Sequence, residues 1–292
     1  MKLLRNRIPK TNNRTIERMN KALKTFIFRA IIMFLGSILL IPGNYAAAQD
    51  LEVGLSGGGG YYLGDLNPGT HFKNIQVAYG VLARYNIDSR WSVKLGVTQG
   101  NISGNSNQTS FLPDRELMFS STITDISAVA EFNFFPYFTG SKKNWITPYV
   151  YGGFGIFLFN PKANGYSLRD LGTEGQNIGY DGRKPYSTVS YGFPFGLGVK
   201  ISLARKLGLQ VYWEMHKTLS DYLDDVSTTY YLNGNAIDPA NYEQFLSDPP
   251  MNHQPGMERG NSKTQDWYSF FGISLTYKFK LTGSKRCRDL ER

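Results

Sequence analysis

The sequence predicts an all-β fold, an eight-stranded antiparallel transmembrane barrel of the outer-membrane type with short periplasmic turns and long extracellular loops. Three observations carry that prediction. Apolar and polar residues alternate with period two in eight segments, the gaps between those segments alternate short and long, and the second face of each segment is small, polar or charged. Successive side chains of a strand point to opposite faces, so each segment has a greasy side and a wet side. Composition agrees: aromatics reach 14% beside a hydrophobic share of 41% and a mean hydropathy of -0.32, as many short amphipathic strands would give. A helical multispan protein is excluded, because the longest charge-free apolar run, Ala30 to Ile41, falls well short of the roughly 20 residues a spanning helix needs.

Residues 1–48 have the layout of a secretory signal peptide: a basic start, the apolar stretch Ala30 to Ile41, a break at Pro42 and Gly43, then Ala46, Ala47 and Ala48 before Gln49. Cleavage is expected after Ala48. The basic start is long, and Met19 offers a second start that would leave a signal of ordinary length. The same segment explains the net charge of +9. Lys2, Arg5, Arg7, Lys10, Arg14, Arg18, Lys21, Lys24 and Arg29 face only Glu17 there, which leaves the rest of the chain close to electroneutral. A nucleic-acid partner therefore loses its support. Cys287 stands alone, so no internal disulfide or multi-cysteine metal site is available, and no cysteine at the cleavage site marks a lipoprotein.

The barrel is expected over residues 49–281, with a basic periplasmic tail over 282–292. Its first strand sets Leu51, Val53 and Leu55 against Glu52, Gly54 and Ser56, and runs through glycines to Tyr62. The second alternates from Ile75 to Ile87 against Gln76, Gly80, Arg84 and Asn86. The third opposes Trp91, Val93, Leu95 and Val97 to Ser92, Lys94, Gly96 and Thr98. In the fourth the phase shifts, with Ile126, Ala128, Ala130, Phe132 and Phe134 opposing Asp125, Ser127, Glu131 and Asn133. The fifth sets Ile146, Val150, Phe154, Ile156 and Leu158 against Thr147, Tyr149, Tyr151, Gly153 and Gly155. The sixth spans Val189 to Leu203 over Ser190, Gly192, Gly196, Gly198 and Lys200, and the seventh places Leu207 to Met215 over Gly208, Gln210, Glu214 and His216. The eighth alternates from Trp267 to Leu281 over Gly272, Ser274, Thr276, Lys278 and Lys280.

Each segment reaches the length of roughly 9 to 11 residues that a tilted spanning strand requires. Short connections at Asp88 to Arg90, Pro136 to Asn144 and Ala204 to Lys206 alternate with long ones near 63–74, 104–122, 160–187 and 220–266. A soluble lipocalin-like barrel would turn its apolar face inward, whereas here the polar face can only be interior if the apolar face meets outer-membrane lipid. Trp91, Trp145 and Trp267 at strand ends, with Tyr85, Tyr151 and Tyr277 near them, are placed as interfacial girdles.

The inward set contains Glu52, Asp125, Glu131 and Glu214 against Arg84, Lys94, Lys200 and Lys278. An eight-stranded barrel is just wide enough inside for its own side chains, and an unpaired buried charge costs several kcal/mol. These eight are thus predicted to form a paired network plugging the lumen, the alternative being a proton or ion path. Catalysis has little support. None of His71, His216 and His253 has a nucleophile and an acid at motif spacing, and His216 reads as a satisfied strand-end residue. The glycine runs at 57–60, 152–155 and 196–198 open no helix, so crowding inside the barrel accounts for them better than phosphate binding. Asp221, Asp224 and Asp225 lack the ligand spacing of a calcium loop, and a solvated loop base is expected there. No cofactor, metal or small-molecule substrate is expected.

Several strings together resemble one family: GYYLGDLNP (60–68), RYNI (84–87), EFNFF (131–135), TPYVYGGFGIFLFNPKA (147–163), LGTEGQ (171–176), PFGLGVK (194–200) and, most specifically, Asp221-Tyr222-Leu223-Asp224-Asp225-Val226-Ser227 within DYLDDVSTTY (221–230). The chain is similar over about residues 51–280 to the PorG-like outer-membrane barrels of the type IX secretion system of Bacteroidota. That resemblance implies a barrel without enzymatic activity that anchors the secretion machinery and contacts, from the periplasm, a ring of lipoprotein and partner subunits. The surfaces facing the ring would be the three short turns and the tail 282–292, although the tail could equally be a solvated end. Where similar sequences carry an arginine before the motif, this chain has His216, a titratable group in place of a permanent charge. A stand-alone surface barrel, binding ligands or acting as an adhesin through loops 160–187 and 220–266, is the alternative from a different class.

Overall fold

The computed structural model describes residues 50–108 and 113–280, so the expected signal peptide, the tail 282–292 and Cys287 lie outside the described residues. Among the described residues ten strands occur in the order β1 Asp50–Leu63, β2 Gln76–Asn86, β3 Trp91–Asn105, β4 Met118–Asn133, β5 Ile146–Leu158, β6 Pro161–Ala163, β7 Tyr166–Ser167, β8 Val189–Ala204, β9 Leu207–Thr218 and β10 Trp267–Lys280. Eight of them close a ring in the order β3, β2, β1, β10, β9, β8, β5, β4, and the β3–β4 ladder completes it. Every pairing is antiparallel. β6 and β7 form a small hairpin above the ring, held to β4 at Ser120 and Ser121. Among the described residues no helix is long and apolar enough to cross a membrane.

The apolar face points outward, as in barrels that cross a bilayer with strands. Leu55 and Val77 are each 68% exposed, and Val53, Val81, Phe154, Val211, Ile273 and Leu275 share that outer wall. Trp91 and Trp145 are exposed at the short-turn end. Tyr151 departs from the expected girdle. Its ring is buried in the lumen, stacked on Tyr149 at 5.4 Å, because odd-numbered residues of β5 face inward.

One long connection is shorter than expected. β3 runs on to Asn105 and β4 starts at Met118, pairing Asn101 to Thr122 and Asn105 to Met118. The outward residues there are Asn101, Ser103, Ser120 and Thr122, so the hydrophobic alternation ends before the hydrogen-bonded ladder does. The glycine run 57–60 lies inside β1, where Gly58 opposes Gly272 of β10. A Cβ on Gly58 would stand 1.9 Å from the Phe271 carbonyl oxygen, so the run serves close strand approach.

The inward face divides into two halves. Nearer the short turns it is polar and charged. Nearer the long loops it carries Tyr62, Ala78, Ile102, Phe119, Ile123, Phe157, Tyr268 and Phe270, packed into one core with Leu66, Leu117, Phe159, Leu168, Leu223, Val226 and Leu246 from the loops. The expectation that the whole second face is small, polar or charged is therefore corrected. Apolar side chains are stable inside because the loops fold over the mouth and cover them. Paired neighbours such as Phe270 with Phe271 conceal the change of side, since one of the two must always face in.

Candidate functional site

Two constructions fill the barrel. The first is the polar half of the lumen. Arg84 on β2 is 1% exposed and sits between two carboxylates, its Nη1 2.9 Å from Glu52 Oε2 and its Nε 2.6 Å from Glu131 Oε2. Lys200 on β8 reaches the same Glu131 oxygen at 2.7 Å, and Ser92 donates to it at 2.9 Å. Lys94 approaches Glu214 at 3.4 Å and lies 4.5 Å over the Tyr151 ring. Glu214 is 2.8 Å from His216 Nε2, and His216 Nδ1 is 3.6 Å from Asp125, which accepts from Tyr268 at 2.9 Å. Lys278 stands apart from this ladder, 3.4 Å from Asp50 and donating to the Thr139 carbonyl.

His216 was missed as a member of this network. It is fully buried, stacked on Tyr268 at 4.3 Å, and bridges two carboxylates of different strands. Its even register with Glu214 on β9 places it inward, which the alternation contained, but its acidic partner Asp125 lies across the barrel on β4. Of the other histidines, His71 meets the Tyr61 hydroxyl at 3.0 Å outside the wall, and His253 meets Asp248 at 2.6 Å in the loops.

The second construction is a cap of long loops organised by residues 221–227. Leu223 is fully buried in the barrel mouth, with its N–H donating to Asp266 at 2.9 Å. The Tyr62 hydroxyl lies 2.5 Å from Asp224 Oδ2 and 3.1 Å from Asp266 Oδ1. One hydroxyl proton is thus shared between two buried carboxyls, an arrangement that is relieved when one of them is protonated. Burial pushes both carboxyls well above the usual carboxylate range, the charges of Asp65 and Asp221 add to this at both, and Asp224 adds to it at Asp266.

Asp225 adopts a left-handed backbone at φ 67, which a short polar side chain tolerates, and accepts from Tyr186 at 2.6 Å and from Thr173. Arg259 threads beneath it, 3.1 Å from Glu174 and donating to the Asp225 carbonyl at 2.5 Å. Glu174 also accepts from the N–H groups of Ser227 at 2.9 Å and Thr228 at 3.1 Å, and from the Thr228 hydroxyl at 2.6 Å. Burial lifts Asp225 to about 7, against the pull of Arg259 and the two hydroxyls. Burial also lifts Asp221 to about 7, with Asp65 and Glu174 adding and the Ser227 hydroxyl opposing. Tyr222 completes the stretch, stacked on Tyr186 at 4.5 Å, and Val226 joins the core.

The expected solvated loop base is thus corrected: Asp224 and Asp225 are buried, because the stretch folds inward over the mouth. Among the described residues no group of three His, Cys, Asp or Glu is arranged to hold a metal. Arg259 and Asp266 were missed, since they lie in loops without periodicity. Glu174 carried a signal only through the string LGTEGQ.

Against known proteins, the chain is similar to three solved barrels. With OprG, an outer membrane protein of Pseudomonas aeruginosa, it shares 12% identity over 80% of this chain and 98% of that one, at a TM-score of 0.42. With Ail, the attachment invasion locus protein of Yersinia pestis, the values are 9%, 79%, 99% and 0.40. With the neisserial surface protein A they are 9%, 80%, 98% and 0.39. No curated protein matches the sequence. A family model described as a domain of unknown function, DUF6089, matches residues 29–235, and the chain belongs to that family.

Proposed function

We propose that this protein is a non-enzymatic barrel of the outer membrane that serves type IX secretion as a scaffold, docking a periplasmic ring of lipoprotein and partner subunits on its short-turn end. The observation that carries the reading is the closed interior. A ladder of ion pairs fills one half of the lumen and an apolar core continuous with the loop cap fills the other, so the barrel offers its surfaces rather than a passage. The family resemblance of the strings in β5, β8 and residues 221–230 supports the secretion role. The exposed apolar wall supports the membrane placement, with lipid as its other partner. Deleting the gene tests the role: export of many secreted proteins is expected to fail, and normal export in the deletion strain would overturn it. Steady ion conduction by the purified barrel in planar bilayers would contradict the closed interior.

A second reading, ligand binding at the cell surface, is favoured by one feature. The cap encloses a cleft of about 180 Å³ lined by Leu117, Leu168, Val226 and Phe245, with Asp224 and Arg259 in its lining. Lost adhesion with intact export in the same deletion strain would select it.

A further inference from the structure

The two ends of the molecule differ in charge. In the long loops the exposed ionic side chains are Lys162, Lys184 and Lys263 against Asp114, Glu116, Asp170, Asp181, Asp238 and Glu258 among the described residues. At the short-turn end, among the described residues, they are Arg90, Lys142, Lys143, Arg205 and Lys206 against Asp88 alone. Asp88 is itself engaged, accepting from the backbone N–H groups of Arg90 at 2.6 Å and Trp91 at 2.8 Å. None of the five cations has a carboxylate partner among the described residues, whereas the lumen cations Arg84, Lys94 and Lys200 all do.

These cations are held on a built platform. The connection 134–145 leaves β4 and crosses the short-turn mouth. Its Tyr137 N–H donates to Ser89 in the β2–β3 turn at 3.0 Å, and its Gly140 N–H donates to Ser202 at the end of β8 at 2.7 Å. In the ring order those two anchor points lie on opposite sides of the barrel. Between them Tyr137 and Thr139 turn inward, and the Thr139 hydroxyl donates to Glu52 of the lumen ladder at 2.6 Å. Gly140, at φ 95, lies so close that a Cβ would meet the Arg205 carbonyl oxygen at 2.4 Å. The connection therefore joins the Arg205–Lys206 turn to the Ser89–Arg90 turn as one preorganised surface.

We infer that this basic platform docks an acidic protein surface, one rich in Asp and Glu, on the partner that meets the short-turn end. The inference rests on the docking reading above and names the chemistry of its partner. Anionic lipid is the weaker occupant. Lipid touches only the circumference of a barrel, while Lys142 and Lys143 belong to the connection 134–145, which is tied to the Ser89 and Ser202 sides of the mouth rather than to a lipid-facing strand. Unpaired exposed cations cost little alone, and complementary charge steers and orients a partner more than it tightens it.

The test uses the purified full chain in phosphatidylcholine nanodiscs with fluorescent poly-L-glutamate as the probe. Reversal of the platform, K142E/K143E/R205E/K206E, is expected to weaken binding by about tenfold or more. Reversal of the loop set, K162E/K184E/K263E, is expected to change it by less than about twofold. The neutral set K142Q/K143Q/R205Q/K206Q should fall between, and a shift in gel migration between unheated and heated samples verifies that each variant has folded. Equal effects of the platform and loop sets, or none from the platform, overturn the inference. In native outer membranes, a photocrosslinking residue at Lys142 is expected to capture an Asp- and Glu-rich peptide of a protein, and the platform reversal should abolish that capture. Adducts to lipid only overturn it. The secretion role fails separately, if export survives gene deletion while the acidic peptide is still captured.

Discussion

Arg84 and Glu131 face each other across the polar lumen at 2.6 Å, both almost wholly excluded from solvent. Removing one partner leaves an uncompensated buried charge, which costs roughly 3–5 kcal/mol. Arg84→Met is accordingly expected to destabilise the barrel by about that amount, because Glu131 would keep only Lys200 and Glu52 would lose its guanidinium. The combined change of Glu52, Arg84, Glu131 and Lys200 to apolar residues of similar volume should cost less than the single one. Urea unfolding in lipid vesicles checks both, and a single variant as stable as the parent would contradict the paired ladder.

The cap should respond to pH with a definite sign. Asp221 and Asp225 hold their protons up to about 7 in the folded cap, well above an ordinary aspartate near 4. A raised value in the folded state means that stability is fully present below the unfolded value and is lost as pH rises through the folded one. The loops around residues 221–227 are therefore expected to be best protected near pH 4 and to loosen progressively up to about pH 7. Hydrogen exchange of the Ser227 and Thr228 amides at pH 5 and pH 8 measures this, and Asp225→Asn should flatten the profile. Equal protection at both values would exclude a titrating cap.

Arg259 and Asp224 lie in the same cap yet should respond differently to substitution. Arg259→Met strands Glu174 without its cation and is expected to cost about 3–5 kcal/mol of cap stability. Asp224→Asn removes little charge, because the carboxyl is pushed toward its neutral form, and the amide oxygen can still accept from Tyr62 or the Val226 N–H. A loss below about 1 kcal/mol is expected for it. Limited proteolysis of the loops ranks the two, and the reverse order would refute a protonated Asp224.

Gly58→Ala probes the closest strand approach. With the new carbon 1.9 Å from the Phe271 carbonyl oxygen, β1 and β10 must separate where they pair Gly58 with Gly272. Overpacking of this kind costs typically about 1–3 kcal/mol, and more where backbone is the obstacle. A reduced fraction of folded barrel after refolding into detergent is the expected result. Gly57→Ala, with nothing within 4 Å of its Cβ, is the matched control and should fold normally.

Much of the barrel was legible because a strand reports its two faces locally. Leu51, Val53 and Leu55 beside Glu52, Gly54 and Ser56 need no distant information to declare which side meets lipid. The same alternation placed Glu52, Arg84, Lys94, Glu131, Lys200 and Glu214 inside. Which of them meet was not legible, since Glu52, Arg84, Glu131 and Lys200 come from four strands whose adjacency depends on ring closure. Loop residues carry no period at all. Arg259 and Glu174, 85 positions apart, meet only because both loops fold over one mouth.

The sequence by itself therefore determined the strands, their inward and outward faces and the closed all-β architecture, because period-two patterning is a property of neighbouring residues. Only the tertiary structure decided the partners within the lumen, the burial of Asp224 and Asp225, and the tying of the connection 134–145 to Ser89 and Ser202 across one mouth. Those follow from which strands close the ring and which loops cover it, and charge pairing acts through distances in space rather than along the chain.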